Sequence, residues 1–156
     1  MLKNYIDKFN ANDEEHIIQY VSNQNAYEFL KENAPKLECP DSVIEETFAF
    51  RSWTIRKHLK KTESGFMMTE FLPPVSWAGL YNTINAPFFH HLNEYRYFKN
   101  ADDLISYVWH FIENKGENAY KYFTPALTAV YEFLIYTGNE NLIYLNAEKF
   151  ENYFLE

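Results

Sequence analysis

Apolar residues return along most of this chain at the three-to-four-residue spacing of helices that bury one face. Leu2, Tyr5, Ile6 and Phe9 predict a first helix, which the polar stretch 10–13 interrupts. Asp13 is placed to cap a second helix from Glu14 that carries Ile17, Ile18, Tyr20 and Val21. A polar SNQN cluster then divides it from AYEFLKEN, which Pro35 ends. The strongest helical signal covers 37–62 and opens at Pro40 or Asp41. Ile44, Phe48, Ile55 and Leu59 share one face of it, with Phe50 and Trp53 on its flank.

The pattern changes after Gly65. Residues 66–72 lie between a glycine and Pro73-Pro74, too short and abrupt for a helix, and predict an extended strand or short hairpin. Glu70 would then point opposite to Thr69 and Phe71. Helical periodicity resumes over about 82–98, with Asn82 or Thr83 as cap, then over 102–115, 125–137 and 140–154. Lys115-Gly116 and Thr137-Gly138-Asn139 supply stop signals. The expected fold class is all-α, built of helical hairpins in a single domain over 1–156, with a short extended hairpin or loop near 65–80.

Composition sharpens this reading. The 156 residues are 47% hydrophobic and 19% aromatic, with 13 Tyr and 14 Phe, enough for a sizeable core. Tyr and Trp also offer sugars an apolar face with a polar handle. A net charge of −8 disfavours a nucleic-acid partner, which needs a basic field. The basic run at 56–61 reads as the cationic end of a helix. Cys39 has no second cysteine to pair with. No apolar run approaches the roughly 18 residues of a membrane span, and the first residues lack a signal-peptide core. The expectation is a cytoplasmic protein with no membrane or nucleic-acid partner.

Candidate chemistry concentrates between Gly65 and Lys99. Glu70, set between prolines and aromatics, is suited to accept hydrogen bonds from sugar hydroxyls, to serve as one carboxyl of glycoside hydrolysis, or to play a structural part. Trp77-Ala78-Gly79 can form a platform for a sugar ring, or core packing. Asn82 and Asn85 offer paired donors and acceptors for hydroxyls, or a helix cap. Arg51 and Arg56 lie close enough to the Trp53 stretch to reach a pocket or to pair with glutamates. His90 and Glu94 have the i,i+4 spacing of a ligand pair without an informative third ligand, so no metal or other cofactor is expected. A serine-nucleophile motif, a phosphate-cradling glycine loop and CxxC are all absent from the sequence.

The run TEFLPPVSWAG-x-x-NTI, then HH-x-x-E-x-R and ADDLISYVWHF, resembles the six-hairpin, (α/α)6-barrel glycoside hydrolases. Within these it is most similar to the mannosylglycerate-hydrolase-like branch, with trehalases and processing glucosidases more distant. The resemblance implies part of an (α/α)6 toroid and a carbohydrate substrate. It implies a substrate-binding set of Glu70, Phe71, Trp77, Asn82, His91, Glu94 and Arg96. The sequence departs from the pattern at Ala78, where trehalase-like relatives carry Asp, at Pro87-Phe88-Phe89 before the His pair, and at Tyr97. A full barrel, at about 11–12 residues per helix plus connections, needs on the order of twice this length. The expectation is therefore the N-terminal part of a glycosidase, which contributes pocket residues but no catalytic acid–base pair. The alternative is a non-catalytic helical module that binds a carbohydrate or protein partner. Apolar helix faces left without partners would favour self-association.

Overall fold

The computed structural model describes residues 1–113 and 120–155. Among them are eight α-helices: α1 (Leu2–Ala11), α2 (Ala26–Asn33), α3 (Ser42–His58), α4 (Phe88–Tyr95), α5 (Ile105–Glu113), α6 (Ala126–Tyr136), α7 (Asn141–Leu145) and α8 (Ala147–Leu155). Strands β1 (Leu59–Thr62) and β2 (Gly65–Met68) form one antiparallel hairpin, with Leu59 opposite Met68 and Thr62 opposite Gly65. The all-α expectation holds, and so does the short extended hairpin.

Local chemistry explains most boundaries. The Asp41 carboxylate accepts from the amides of Val43 and Ile44 at 2.8 and 3.4 Å, which caps α3 as expected. Helix α6 ends where Gly138 adopts φ +73° and the Asn139 amide donates to the Leu134 carbonyl at 2.8 Å. The segment expected to be one helix over 140–154 divides at Asn146, between α7 and α8. The stop signal at Lys115-Gly116 lies outside the described residues.

Three sequence expectations are corrected. The helix expected over 37–62 ends at His58, because β1 pairs with β2; Lys60 and Lys61 therefore lie on a strand, not a helix end. No helix begins at Glu14. Glu15 takes φ +45°, and residues 13–23 form an irregular loop whose polar groups are committed elsewhere. Asn82 does not cap a long helix: Tyr81 and Asn82 take φ +60° and +62°, and α4 starts only at Phe88. Pro87 explains the late start, since a proline disfavours helical geometry in the residue before it.

The loop at 13–23 is organised by Arg56, which has no exposed surface. Its guanidinium donates to the Val21 carbonyl at 2.8 Å, to Asn23 Oδ1 at 3.1 Å and to the Trp53 carbonyl at 3.2 Å. It also lies 5.1 Å from the centre of the Trp53 ring. Asn23 is used on every side. Its amide donates to Glu15 at 2.6 Å, its side-chain nitrogen to Asp13 at 2.7 Å, and its carbonyl accepts from Asn10 at 2.8 Å. Asp13, expected to be a helix cap, instead pairs with Lys57. Burial lowers the Arg56 pKa to about 10, opposed by the fields of Glu15 and Asp13.

Buried side chains of α1 to α6 and the hairpin form one cluster, including Ile6, Leu30, Trp53, Met68, Phe88, Tyr107 and Phe133. The hairpin packs against α5 closely enough that a Cβ at Gly65, which has φ +107°, would lie 2.5 Å from Ser106. At the other end, Tyr131, Ile135 and Tyr136 of α6 stay exposed, as do Tyr144, Leu145, Phe154 and Leu155 of α7 and α8.

Replacing Arg56 by Ala strands the Val21 carbonyl and the Asn23 amide in the interior. The expected loss of stability is about 3 kcal/mol or more, read from the urea midpoint. Gly65→Ala is expected to cost at least about 1 kcal/mol in the same assay, because both backbone conformation and space oppose a side chain there.

Candidate functional site

The end of α3, the loop after β2 and the start of α4 enclose a cleft of about 420 Å³, lined by Arg51, His58, Glu70, His90, His91 and Glu94 among others. Three residues singled out from the sequence, Glu70, His91 and Glu94, thus meet in one place. His58 joins them although the sequence gave no signal for it. Its position follows from α3 ending where the hairpin begins, and a helix read through to 62 conceals that.

Each wall is fixed by identifiable contacts. The His58 Nδ1 hydrogen-bonds the Thr69 carbonyl at 2.5 Å, which ties the end of α3 to the residue before Glu70. The Thr69 hydroxyl donates to the Asn82 carbonyl at 2.6 Å. Arg51 reaches both carboxylate oxygens of Glu94, at 2.6 and 2.8 Å, and forms one rim of the cleft. His91 Nδ1 lies 3.0 Å from the hydroxyl of Tyr107, which is fully buried on α5.

Burial dominates the titration of these groups. It pulls His91 down to about 3, helped by the positive fields of His58, His90 and Arg51. His58 is lowered by burial as well, against the opposing effect of its bond to Thr69. Glu70 is raised by burial. Tyr107 is pushed well above the ordinary phenol range, by burial first and by the nearby Glu70 carboxylate second. Two imidazoles held toward their neutral form and a carboxyl that is harder to ionise therefore line the cleft, with the buried Tyr107 phenol bonded to His91. Perturbed groups of this kind in a cleft mark functional-site candidates.

The remaining sequence candidates lie elsewhere. Phe71 meets Trp77 edge to face with ring centres 4.7 Å apart, and Trp77 is 52% exposed, so its indole is open to a ligand. Lys121 lies 6.0 Å from the same ring. The Asn82 side chain accepts from the Val75 amide at 2.9 Å and donates to Thr69 at 3.0 Å and Phe71 at 3.1 Å. It staples the loop that carries Glu70 and Trp77. Asn85 does the same between this loop and Tyr122, donating at 2.6 Å and accepting at 3.2 Å. Arg96 pairs with Glu132 at 2.6 Å and donates to the Tyr97 hydroxyl at 2.9 Å, which joins α4 to α6 and is not part of the cleft lining. Among the described residues no group of three or more His, Cys, Asp or Glu side chains is arranged to hold a metal ion, and no helix is long and apolar enough to cross a membrane.

The depressed imidazoles tie stability to pH. The folded chain keeps His91 neutral, and biases His58 toward its neutral form, where the unfolded chain, with ordinary imidazoles near 6.5, binds protons. Stability is therefore full above the unfolded value and falls as pH drops below it, by about 1.4 kcal/mol per pH unit for each fully linked group. Urea midpoints measured from pH 7.5 to 5 should fall, and His91→Gln should flatten that slope.

No protein-family model matches the chain, and no curated protein matches it. A solved structure titled "Sialidase" does match, at 32% sequence identity and a TM-score of 0.74, over 85% of this chain. The chain spans only 13% of the length of that one.

Proposed function

We propose that this chain is a carbohydrate-binding segment of a glycoside hydrolase, in which the Glu70 cleft and the Trp77 platform contribute to a sugar pocket. The observation that carries the reading is the likeness to a sialidase, an enzyme that hydrolyses glycosidic bonds, at 32% identity over 85% of this chain. The more specific assignment, to the N-terminal part of a six-hairpin (α/α)6 barrel, rests on the motif from Thr69 to Arg96. The helical hairpins and the position of Glu70, His91 and Glu94 around one cleft support it.

In this reading Glu70 accepts hydrogen bonds from hydroxyls, His91 contacts the sugar, and Trp77 with Phe71 stacks on an apolar sugar face. Glu94, held by Arg51, forms a rim. Asn82 acts through the loop, since its amide is already committed to Val75, Thr69 and Phe71. Arg96 acts from behind α4. Hydrolysis requires a proton donor and a second carboxylate on opposite sides of the scissile bond. Glu94 is engaged by Arg51, so the segment supplies contacts and the remainder of the pocket comes from other parts of a longer enzyme.

One observation favours a second reading, a non-catalytic helical module. The exposed apolar side chains of α6 to α8 suit a surface that packs against further helices or a second copy.

Trp77→Ala is expected to weaken binding of methyl glycosides about fivefold, equivalent to roughly 1 kcal/mol of aromatic contact, as read by titration calorimetry. Unchanged affinity would remove Trp77 from the pocket.

A further inference from the structure

The Trp77 platform does not end at its own loop. Asn85, which is 1% exposed, spends its side chain on the main chain of Tyr122, donating to the carbonyl at 2.6 Å and accepting from the amide at 3.2 Å. This ties Lys121 and Tyr122 to the loop that carries Trp77, although the two stretches are far apart in sequence. The Lys121 ammonium lies 6.0 Å from the ring centre of Trp77 and 6.0 Å from that of Tyr122. The two ring centres are therefore no farther apart than twice that distance, and the ammonium is a single point close to both. It sits at the outer limit of a cation–π contact, and among the described residues it pairs with no carboxylate. Both rings are exposed, and so is Phe123 beyond them. Tyr122, Phe123 and Phe154 go on to wall a groove of about 570 Å³ that shares no lining residue with the Glu70 cleft.

We propose that Trp77, Lys121 and Tyr122 form a subsite for an oligosaccharide, with one sugar unit against each aromatic ring and the Lys121 ammonium donating to the oxygens between them. Indole and phenol each offer a sugar an apolar face. An ammonium has three donors and no acceptor, a demand that hydroxyl and ring oxygens meet. A pyranose ring with its glycosidic oxygen spans about 5 Å, given single bonds of about 1.5 Å, so two or three linked units reach from one ring to the other. A single sugar covers only one of them. The ligand class is therefore a chain of sugars and not a lone glycoside. This inference rests on the carbohydrate reading above and extends it from Trp77 to Lys121 and Tyr122.

The test uses the 156-residue chain labelled with ¹⁵N, with the Trp77 indole and the Lys121 and Tyr122 amides followed during titration. The probes are methyl α-D-glucopyranoside, methyl α-D-mannopyranoside and methyl β-D-galactopyranoside, and the matching trisaccharides maltotriose, α-1,6-mannotriose and β-1,4-galactotriose. For at least one sugar, the trisaccharide is expected to shift Trp77 and Tyr122 together. It should bind about fivefold more tightly than the methyl glycoside, the size of one further aromatic contact. Tyr122→Ala keeps the main chain that Asn85 holds and should remove that advantage. Lys121→Met should weaken the trisaccharide about fivefold, the size of one hydrogen bond. A trisaccharide that binds no more tightly than its methyl glycoside overturns the proposal and leaves the carbohydrate reading standing. So does an advantage that survives Tyr122→Ala or is untouched by Lys121→Met. No response to any of the six sugars at about 100 mM, far beyond the millimolar end of the affinity scale, overturns both.

Discussion

A guanidinium sealed inside the protein sets the geometry of the first half of the chain. Arg56 has no exposed surface and no carboxylate in direct contact; neutral oxygens from Val21, Asn23 and Trp53 surround it. A buried charge is tolerated only when its donors are occupied, and that demand fixes the path of residues 13–23. The same demand explains why Asp13, Glu15 and Asn23 are spent on one another and on Lys57 instead of building a helix. Because Trp53 also donates to Asn10 at 2.8 Å, α1 and α3 are bound into the same network. Once α3 is locked, Arg51, on its exposed face, and His58, its last residue, are delivered to the cleft.

The second half of the site depends on side-chain amides used as backbone. Asn82 bridges Val75, Thr69 and Phe71, and Asn85 bridges to Tyr122. The segment from 69 to 87 has little regular structure of its own, and these two residues supply the hydrogen bonds that a strand or helix would have supplied. They hold Glu70 outward while Thr69 is buried, and they leave the Trp77 indole open. Rigid loops on a helical scaffold are a common way to present binding groups.

The two ends of the molecule differ in how fully they are closed. Around α4 and α5 most aromatic residues are buried against one another, as in the edge-to-face contact of Phe88 with Tyr107, whose ring centres are 5.1 Å apart. Around α6 to α8 similar residues face outward. Helix α6 is apolar on nearly every side, the pattern of a helix buried all round, yet Tyr131, Ile135 and Tyr136 are exposed.

The sequence by itself determined the helical class, the hairpin near Gly65 and most helix ends. These rest on local effects: apolar periodicity, the Asp41 cap and the glycine stop at Gly138. It also pointed to the stretch from Gly65 to Lys99 as the place for candidate chemistry, because prolines, aromatics and polar residues crowd there. Tertiary structure decided what local rules could not reach. Ile17, Ile18 and Val21 have helical spacing, but the buried Arg56 outbid the helix by claiming the Val21 carbonyl. Asn82 has cap chemistry, but Pro87 delayed α4 and the amide became a loop staple. Helical pattern runs on through His58 to 62, and only the pairing of Leu59 with Met68 ends α3 at His58, in the cleft wall beside His91. In each case a polar group had several possible partners nearby, and the partner it took was set by residues distant in sequence.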